Sequence, residues 1–167
     1  MKRTNTKRLT TLAMLLSVAM ILSYVESLIP PLVAIPGVKL GLSNIASLFA
    51  LLTLGPLAAV SVSLVRVFLS ALLFGNAMAL IFSLSGAVLS LLVMIVFSRL
   101  SVFSPVGISI LGAVAHNAGQ IIAACIVLRT SAIIYYLAPL VISGTLAGIV
   151  IGTVAGILAS RLKKHIL

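Results

Sequence analysis

The sequence predicts an all-α membrane protein, a polytopic helical bundle of about six transmembrane helices. Apolar residues make up 62% of the 167 positions and charged residues only 7%, whereas roughly a quarter of the residues are charged in soluble domains. Long apolar segments follow one another with only short breaks between them. A soluble fold would need more polar residues to cover its core. The composition therefore indicates a chain surrounded by the lipid bilayer.

Proline, glycine and arginine mark the breaks between the apolar segments. A transmembrane helix needs about 20 apolar residues, and Pro and Gly interrupt helices through their unusual backbones. The first segment is longer than a signal-peptide core and is followed by no small-residue cleavage site, so we expect it to be retained. The predicted spans are residues 9–29, 40–54, 57–74, 77–97, 106–128 and 133–159, within one membrane domain over residues 1–167.

Basic residues are concentrated at both ends of the chain and predict its orientation. Segments rich in Lys and Arg stay in the cytoplasm, and an even number of spans returns the chain to its starting side. Both termini are therefore predicted to be cytoplasmic, with Arg99 on the same side. Nucleic-acid binding does not explain the net charge of +10, because such proteins gather basic residues on one solvated face. The terminal basic residues are Lys2, Arg3, Lys7, Arg8, Arg161, Lys163 and Lys164.

Three ionisable residues at membrane depth are candidates for a ligand site, because charges inside a bilayer are costly. Glu26, the only acidic residue, lies near the outer end of span one, and Lys39 begins span two. Arg66 lies in the middle of span three, far from either interface. If Lys39 and Arg66 both approach Glu26, the site is net positive and suits an anionic ligand such as a phosphate or carboxylate. A purely structural ion network explains the same residues equally well.

Neutral polar residues in other segments add to the predicted site. His116, Asn117 and Gln120 lie near the middle of span five, and polar groups in lipid must turn towards the protein interior. His116 and Gln120 are four residues apart and share a helix face. They either contact a ligand or hydrogen bond to neighbouring helices. Asn44, early in span two, and Asn76, after span three, are placed in the outer half of the bundle.

Small residues at intervals of four positions form two candidate packing surfaces. On span six they leave one helix face open to the close approach of another backbone, which belongs either to a neighbouring helix or to a partner protein. Ala13 and Ser17 form a shorter pair on span one. The glycines of span six are Gly144, Gly148, Gly152 and Gly156.

Catalysis, a metal site and a resident cofactor are not predicted. The chain contains no Asp, whereas prenyl-diphosphate synthases hold magnesium and diphosphate with clustered aspartates. It also lacks a GxxxxGK[ST] phosphate loop, so we do not expect it to hydrolyse ATP. An enzyme that uses His116 as a base is disfavoured, because no carboxylate is left to orient the ring once Glu26 is paired.

Several sequence segments resemble a known protein family. The segments PGVKLGLSNI (residues 36–45) and LGP (54–56) resemble span two of the substrate-binding S components of energy-coupling-factor (ECF) vitamin transporters. Nearly the whole chain looks more like the bacterial membrane family called heptaprenyl diphosphate synthase component I, also known as the Gx transporter family. The further residues that carry this resemblance are Glu26, Arg66, FSLSG (82–86) and GAVAHNAGQ (112–120).

The resemblance implies an S-component-like fold of six helices in the bacterial cytoplasmic membrane, with a ligand pocket that opens outward. In that class, an ATPase pair and a transmembrane coupling protein drive the S component, which docks through an Ala-xxx-Ala surface on span one. Ala13 and Ser17 are the equivalent positions here, with Ser in place of the second Ala. The closer family also implies a small extracytoplasmic partner and a link to quinone or flavin electron transfer.

The sequence and the resemblance together predict a substrate-binding membrane subunit of an ECF-type transporter. Its ligand would be a small vitamin-, flavin- or quinone/isoprenoid-related molecule captured from outside. The alternative is a non-transporting membrane scaffold of an isoprenoid, quinone or electron-transfer complex, which the glycine face of span six favours. The predicted pocket residues are Glu26, Lys39, Asn44, Arg66, Asn76, His116, Asn117 and Gln120.

Overall fold

A computed structural model describes residues 2–29, 41–100 and 102–166 of the chain. The all-α prediction is confirmed, because these residues form six α-helices and one short 3-10 helix and contain no strand. The 3-10 helix covers Ala132–Tyr136 and leads directly into the last α-helix. The α-helices are α1 (Lys2–Leu28), α2 (Asn44–Leu54), α3 (Pro56–Phe74), α4 (Ala77–Ser98), α5 (Pro105–Leu128) and α6 (Leu137–Ile166).

Five helical segments are long and apolar enough to cross a membrane. Large apolar side chains on them point outward; Leu72, for example, is 81% exposed and Ile126 is 72% exposed. Such a surface is unfavourable in water but suits lipid acyl chains. The protein is therefore a multi-pass membrane protein. The five segments are Thr6–Leu28, Pro56–Phe74, Ala77–Ser98, Pro105–Leu128 and Ala132–Leu162.

The helix α2 differs from the predicted span over residues 40–54. It has only 11 residues, so at a rise of 1.5 Å per residue it is about 16 Å long, roughly half of the hydrocarbon core. The helix starts late because Gly41 adopts a φ of +83° and the chain turns before Asn44, whose N–H donates to the Gly41 carbonyl oxygen at 2.9 Å. Gly41, Ser43 and Asn44 are buried. This helix therefore begins inside the protein, where irregular backbone at membrane depth is tolerated.

The remaining helix ends follow local signals in the sequence. Pro56 and Pro105 occupy the first turns of α3 and α5, where the missing N–H has no helical partner to lose. The Ser104 hydroxyl accepts a hydrogen bond from the Gly107 N–H at 3.2 Å, which caps α5. The helices α3 and α5 together carry seven of the fourteen buried polar side chains of the described residues.

The helix α5 lies between α4 and α6 and packs closely against both. Glycines make this approach possible. A Cβ atom on Gly119 would lie 2.7 Å from the Ser85 carbonyl oxygen of α4, and one on Gly148 would lie 2.7 Å from Cα of Ile110. The helix α2 packs on α3 and α6, and α1 packs chiefly on α3. His116, Asn117 and Gln120 of α5 are consequently held in the interior.

Candidate functional site

Buried polar side chains of α1, α2, α3 and α5 lie inside the bundle, and several of them meet at the turn that precedes α2. We call this group the polar cluster. Each member is at most 6% exposed, although the helices that carry it are mainly apolar. The prediction that Arg66 and His116 turn inward agrees with their exposures of 5% and 3%. The polar cluster consists of Ser23, Glu26, Ser43, Asn44, Arg66, His116, Asn117 and Gln120.

Glu26 lies in the last turn of α1 and binds the backbone that precedes α2. Its Oε1 atom accepts hydrogen bonds from the Gly41 N–H and from the Leu42 N–H, the latter at 3.3 Å. These two donors lie just before the first turn of α2, where a helix carries partial positive charge. The carboxylate therefore stabilises the buried start of the helix.

Arg66 reaches the same turn from α3. Its Nη1 donates to the Ser43 hydroxyl at 2.5 Å and to the Ser23 hydroxyl at 3.4 Å. The opposite charges of Arg66 and Glu26 attract each other. Glu26 and Arg66 of the predicted site are thus brought to one place, the turn formed by residues 41–43.

The guanidinium group of Arg66 is only partly used by these contacts. Among the described residues, its Nε and Nη2 atoms are buried and have no hydrogen-bond partner. Leaving a buried donor unsatisfied costs about 1–3 kcal/mol, and more for a charged group. Arg66 is the only buried Lys or Arg in the described part of the chain. The edge of its guanidinium group formed by Nε and Nη2 is therefore available to another group.

His116 and Asn44 adjoin the Gly41 turn from α5 and α2. A Cβ atom on Gly41 would lie 3.0 Å from Nδ2 of Asn44 and 3.6 Å from Cδ2 of His116. On its other side the His116 ring faces α4, since a Cβ on Gly86 would lie 2.9 Å from its Cε1 atom. The missing side chains of Gly41 and Gly86 therefore make room for this ring.

The amide side chains of α5 complete the polar cluster. Asn117 donates through Nδ2 to the Leu140 carbonyl oxygen at 2.6 Å, which ties α5 to α6. Its Oδ1 atom, Nδ1 of His116 and both polar atoms of Gln120 have no hydrogen-bond partner among the described residues. Gln120 is fully buried. Three of the four polar side-chain atoms of Asn117 and Gln120 are therefore open to an added donor or acceptor.

Other predicted residues lie apart from the polar cluster. Asn76 is exposed, and its Oδ1 atom caps α4 by accepting from the Ala79 N–H at 2.8 Å. Ala13 and Ser17 lie on the exposed face of α1, where the Ser17 hydroxyl donates to the Ala13 carbonyl oxygen at 3.0 Å. Lys39 lies outside the residues that the structure describes.

The glycines of α6 lie against α5. A Cβ atom on Gly144 would lie 2.6 Å from Nδ2 of Asn117, and one on Gly152 would lie 2.6 Å from Cα of Val106. On Gly156 the nearest atom would be Cβ of Pro105, at 3.3 Å. Together with Gly148, these residues form the face through which α6 meets the helix that carries His116. The backbone that approaches these glycines therefore belongs to a neighbouring helix, the first of the two alternatives given for this face.

Two serines of the polar cluster were not predicted from the sequence. Ser23 lies three residues before Glu26 on α1, and this spacing places both on one helix face. Ser43 stands in the GLSN segment directly before α2. Three further buried serine hydroxyls have no partner among the described residues; they belong to Ser47, Ser63 and Ser90. Helical spacing from Glu26 is the signal that identifies Ser23, whereas the partner of Ser43 depends on tertiary contacts.

A separate cavity of about 570 Å³ lies between α4 and α5. Ser85 supplies the one polar side chain of its lining, which contains no member of the polar cluster. The close crossing of Gly86 and Gly119 stands between this cavity and the ring of His116. Residues of the described part of the chain also form no group of three or more His, Cys, Asp or Glu side chains able to hold a metal ion.

Comparison with known proteins places the chain in a family. No curated protein and no solved structure matches it. The sequence model of one family, described as heptaprenyl diphosphate synthase component I, matches residues 15–158. This match extends from the first helix to the last and includes every described member of the polar cluster. The chain therefore belongs to the heptaprenyl diphosphate synthase component I family.

Proposed function

We propose that this chain is the substrate-binding membrane subunit of a transporter, similar to the S components of ECF transporters. The polar cluster is its ligand site. One observation carries this proposal: six buried polar atoms of the cluster have no hydrogen-bond partner among the described residues, although apolar helices surround them. The six atoms are Nε and Nη2 of Arg66, Nδ1 of His116, Oδ1 of Asn117, and Nε2 and Oε1 of Gln120.

The unsatisfied atoms favour a binding site over a structural network. A structural network stabilises a fold only when its members satisfy one another, because each buried unpaired group costs about 1–3 kcal/mol. Gln120 would be better replaced by an apolar residue of similar size if stability were its only role. A ligand that supplies donors and acceptors would offset this cost when it binds.

The chemistry of the open groups suggests the ligand class. Arg66 offers charged donors, whereas Gln120 and Asn117 offer amide groups that recognise carbonyl or ring-nitrogen edges. A small vitamin-, flavin- or quinone/isoprenoid-related molecule carries such groups. The name of the family refers to prenyl diphosphate synthesis, which supports the isoprenoid-related members of this class.

The proposed mechanism is capture from outside followed by movement that a partner drives. The chain would lie in the bacterial cytoplasmic membrane with both termini in the cytoplasm, without catalytic activity of its own. An ECF-type ATPase pair and a transmembrane coupling protein would supply the energy. The exposed face of α1 that contains Ala13 and Ser17 offers a docking surface for the coupling protein. A small extracytoplasmic partner would deliver the ligand.

Ligand-induced stabilisation of the purified protein tests the proposal. Riboflavin, flavin mononucleotide, thiamine, a short-chain menaquinone and farnesyl diphosphate are each added to the protein in detergent, and the unfolding temperature is measured. At least one compound is expected to raise it. Gln120→Leu is expected to abolish this increase and to raise the stability of the ligand-free protein by about 1–3 kcal/mol, because two unsatisfied atoms are removed.

A matched control separates the polar cluster from polar residues in general. Ser70 is also buried, but its hydroxyl is satisfied by the Arg66 carbonyl oxygen at 2.7 Å. Ser70→Ala should leave the ligand-induced increase in place. The proposal is wrong if Gln120→Leu keeps the full ligand response, or if its ligand-free form is destabilised like an ordinary structural residue.

The alternative function is a non-transporting scaffold subunit of an isoprenoid, quinone or electron-transfer complex. The family description, which names a component of a synthase, favours it. Co-purification from native membranes distinguishes the two functions. An ATPase pair and a coupling protein support transport, whereas a prenyltransferase or a redox enzyme without them supports the scaffold.

A further inference from the structure

The start of α2 has the composition of an anion-binding site. Its donors are the N–H groups of Gly41 and Leu42, and both point to one carboxylate oxygen. The helix that follows has 11 residues, so its N-terminus carries a partial positive charge that favours anions. In this conformation the anion is Glu26, which belongs to the chain itself.

The start of α2 has more hydrogen-bond donors beside it than Glu26 uses. Arg66 approaches the same turn through Ser43, is 5% exposed, and keeps two buried nitrogen atoms without a partner among the described residues. A guanidinium edge with two free N–H groups matches an oxyanion in bidentate geometry. The N–H groups before α2 and the open edge of Arg66 can therefore donate together to one oxyanion that has several acceptor oxygens.

We propose that the start of α2 and Arg66 bind an oxyanion of the ligand, such as a carboxylate, sulfonate or phosphate group, and that Glu26 occupies its place until the ligand arrives. This inference rests on the proposed function and specifies the ligand class further. When the oxyanion binds, the Glu26 carboxylate leaves the Gly41 and Leu42 N–H groups and takes up one proton from solvent. The incoming negative charge and the added proton cancel, so the charge of the site does not change.

The neighbours of Glu26 are consistent with this exchange. α1 packs on α2, α3 and α6. α2 contains no titratable side chain, α3 contributes Arg66, and α6 carries basic groups only from Arg161 onward, at its far end. From α5, His116 lies beside Gly41. Among the described neighbours, Arg66 is thus the group whose charge acts on the exchange, and it favours a bound anion.

Binding of simple oxyanions to Glu26→Gln tests the exchange. Acetate and methanesulfonate serve as probes, because both stay ionised over the range used, and binding is measured by the shift in unfolding temperature in neutral detergent. The substituted glutamine side chain would be neutral but would keep an oxygen for the Gly41 and Leu42 N–H groups. At about pH 8, the Kd of this variant for the probes is expected to be at least about tenfold lower than that of the unaltered protein.

The pH dependence gives a second measurement that needs no variant. Between about pH 8 and about pH 6, the unaltered protein should bind the probes more tightly as Glu26 takes up its proton. Glu26→Gln should show little change. Ser27→Ala, an exposed neighbour on α1, should behave like the unaltered protein. A third arm with phosphatidylglycerol in the detergent shows whether a lipid headgroup or a free anion is the source.

Four outcomes are decisive. The inference is overturned if Glu26→Gln binds neither probe more tightly than the unaltered protein does, or if the affinity of the unaltered protein for the probes does not depend on pH. It is also overturned if Glu26→Gln loses the response to a compound that stabilises the unaltered protein, because Glu26 then contacts the ligand directly; the proposed function survives that result. Failure of the proposed function is seen separately, as an unchanged ligand response in Gln120→Leu.

Discussion

Arg66→Ala is expected to lower the free energy of unfolding by about 3–5 kcal/mol, the effect of breaking a buried charge pair. The substitution removes the cation that attracts Glu26 and the donor to the Ser43 and Ser23 hydroxyls. Glu26, at 5% exposure, would keep a negative charge inside the bundle. Unfolding by denaturant in detergent micelles measures the loss, and ligand-induced stabilisation should disappear in the same variant.

Two further variants distinguish the effect of breaking the Glu26–Arg66 charge pair from the effect of truncating an arginine side chain. Arg66→Met combined with Glu26→Gln leaves no buried charge in this pair, so most of the lost stability should return while ligand binding stays absent. Arg99→Ala removes an exposed arginine at the end of α4 and should change stability by less than about 0.5 kcal/mol. If Arg66→Ala destabilises the protein no more than Arg99→Ala does, the account of the polar cluster is wrong.

Gly86→Ala is expected to disturb the polar cluster from α4. Its added Cβ would lie 2.9 Å from both Cε1 and the carbonyl oxygen of His116, and 3.0 Å from Cγ of Gln120. Because a backbone atom is among these contacts, α4 and α5 must move apart. We expect a loss of about 1–3 kcal/mol in unfolding free energy and a rise of at least about tenfold in the Kd for the ligand.

Gly107→Ala is the matched control for this prediction. It also adds a methyl group to a helical glycine, but the nearest atom, Cδ1 of Phe103, would lie at an ordinary distance of 3.5 Å. Replacement of Gly by Ala in a helix should then raise stability slightly, by up to about 1 kcal/mol. Equal ligand affinities for the Gly86→Ala and Gly107→Ala proteins would contradict the placement of His116 and Gln120 in the site.

Composition and membrane physics were sufficient to predict the architecture. A chain with 7% charged residues and 62% apolar residues must place its helices in lipid and turn its few polar side chains inward. On this ground the sequence predicts that Arg66, His116, Asn117 and Gln120 are buried, and the structure buries all of them. The high cost of each polar group in lipid made these residues recognisable without any knowledge of their neighbours.

Contacts between distant segments could not be predicted in the same way. Nothing in the sequence shows that Arg66 donates to Ser43, or that α2 begins inside the bundle, because these depend on how α1, α2 and α3 meet. Asn76 was placed near the pocket by its position in a polar turn, but its side chain is exposed and caps α4. The Asn76 side chain is used by the local cap of α4 and not by a contact with the polar cluster.

We propose that the unsatisfied polar atoms of α3 and α5 form the ligand site. An experimental density map of the protein, saturated with the compound that raises its unfolding temperature most, tests this claim. We expect ligand density within hydrogen-bond distance of the Arg66 guanidinium and the Gln120 amide. Ligand density confined to the apolar cavity between α4 and α5, with Arg66 and Gln120 hydrogen bonded only to protein, would contradict the claim.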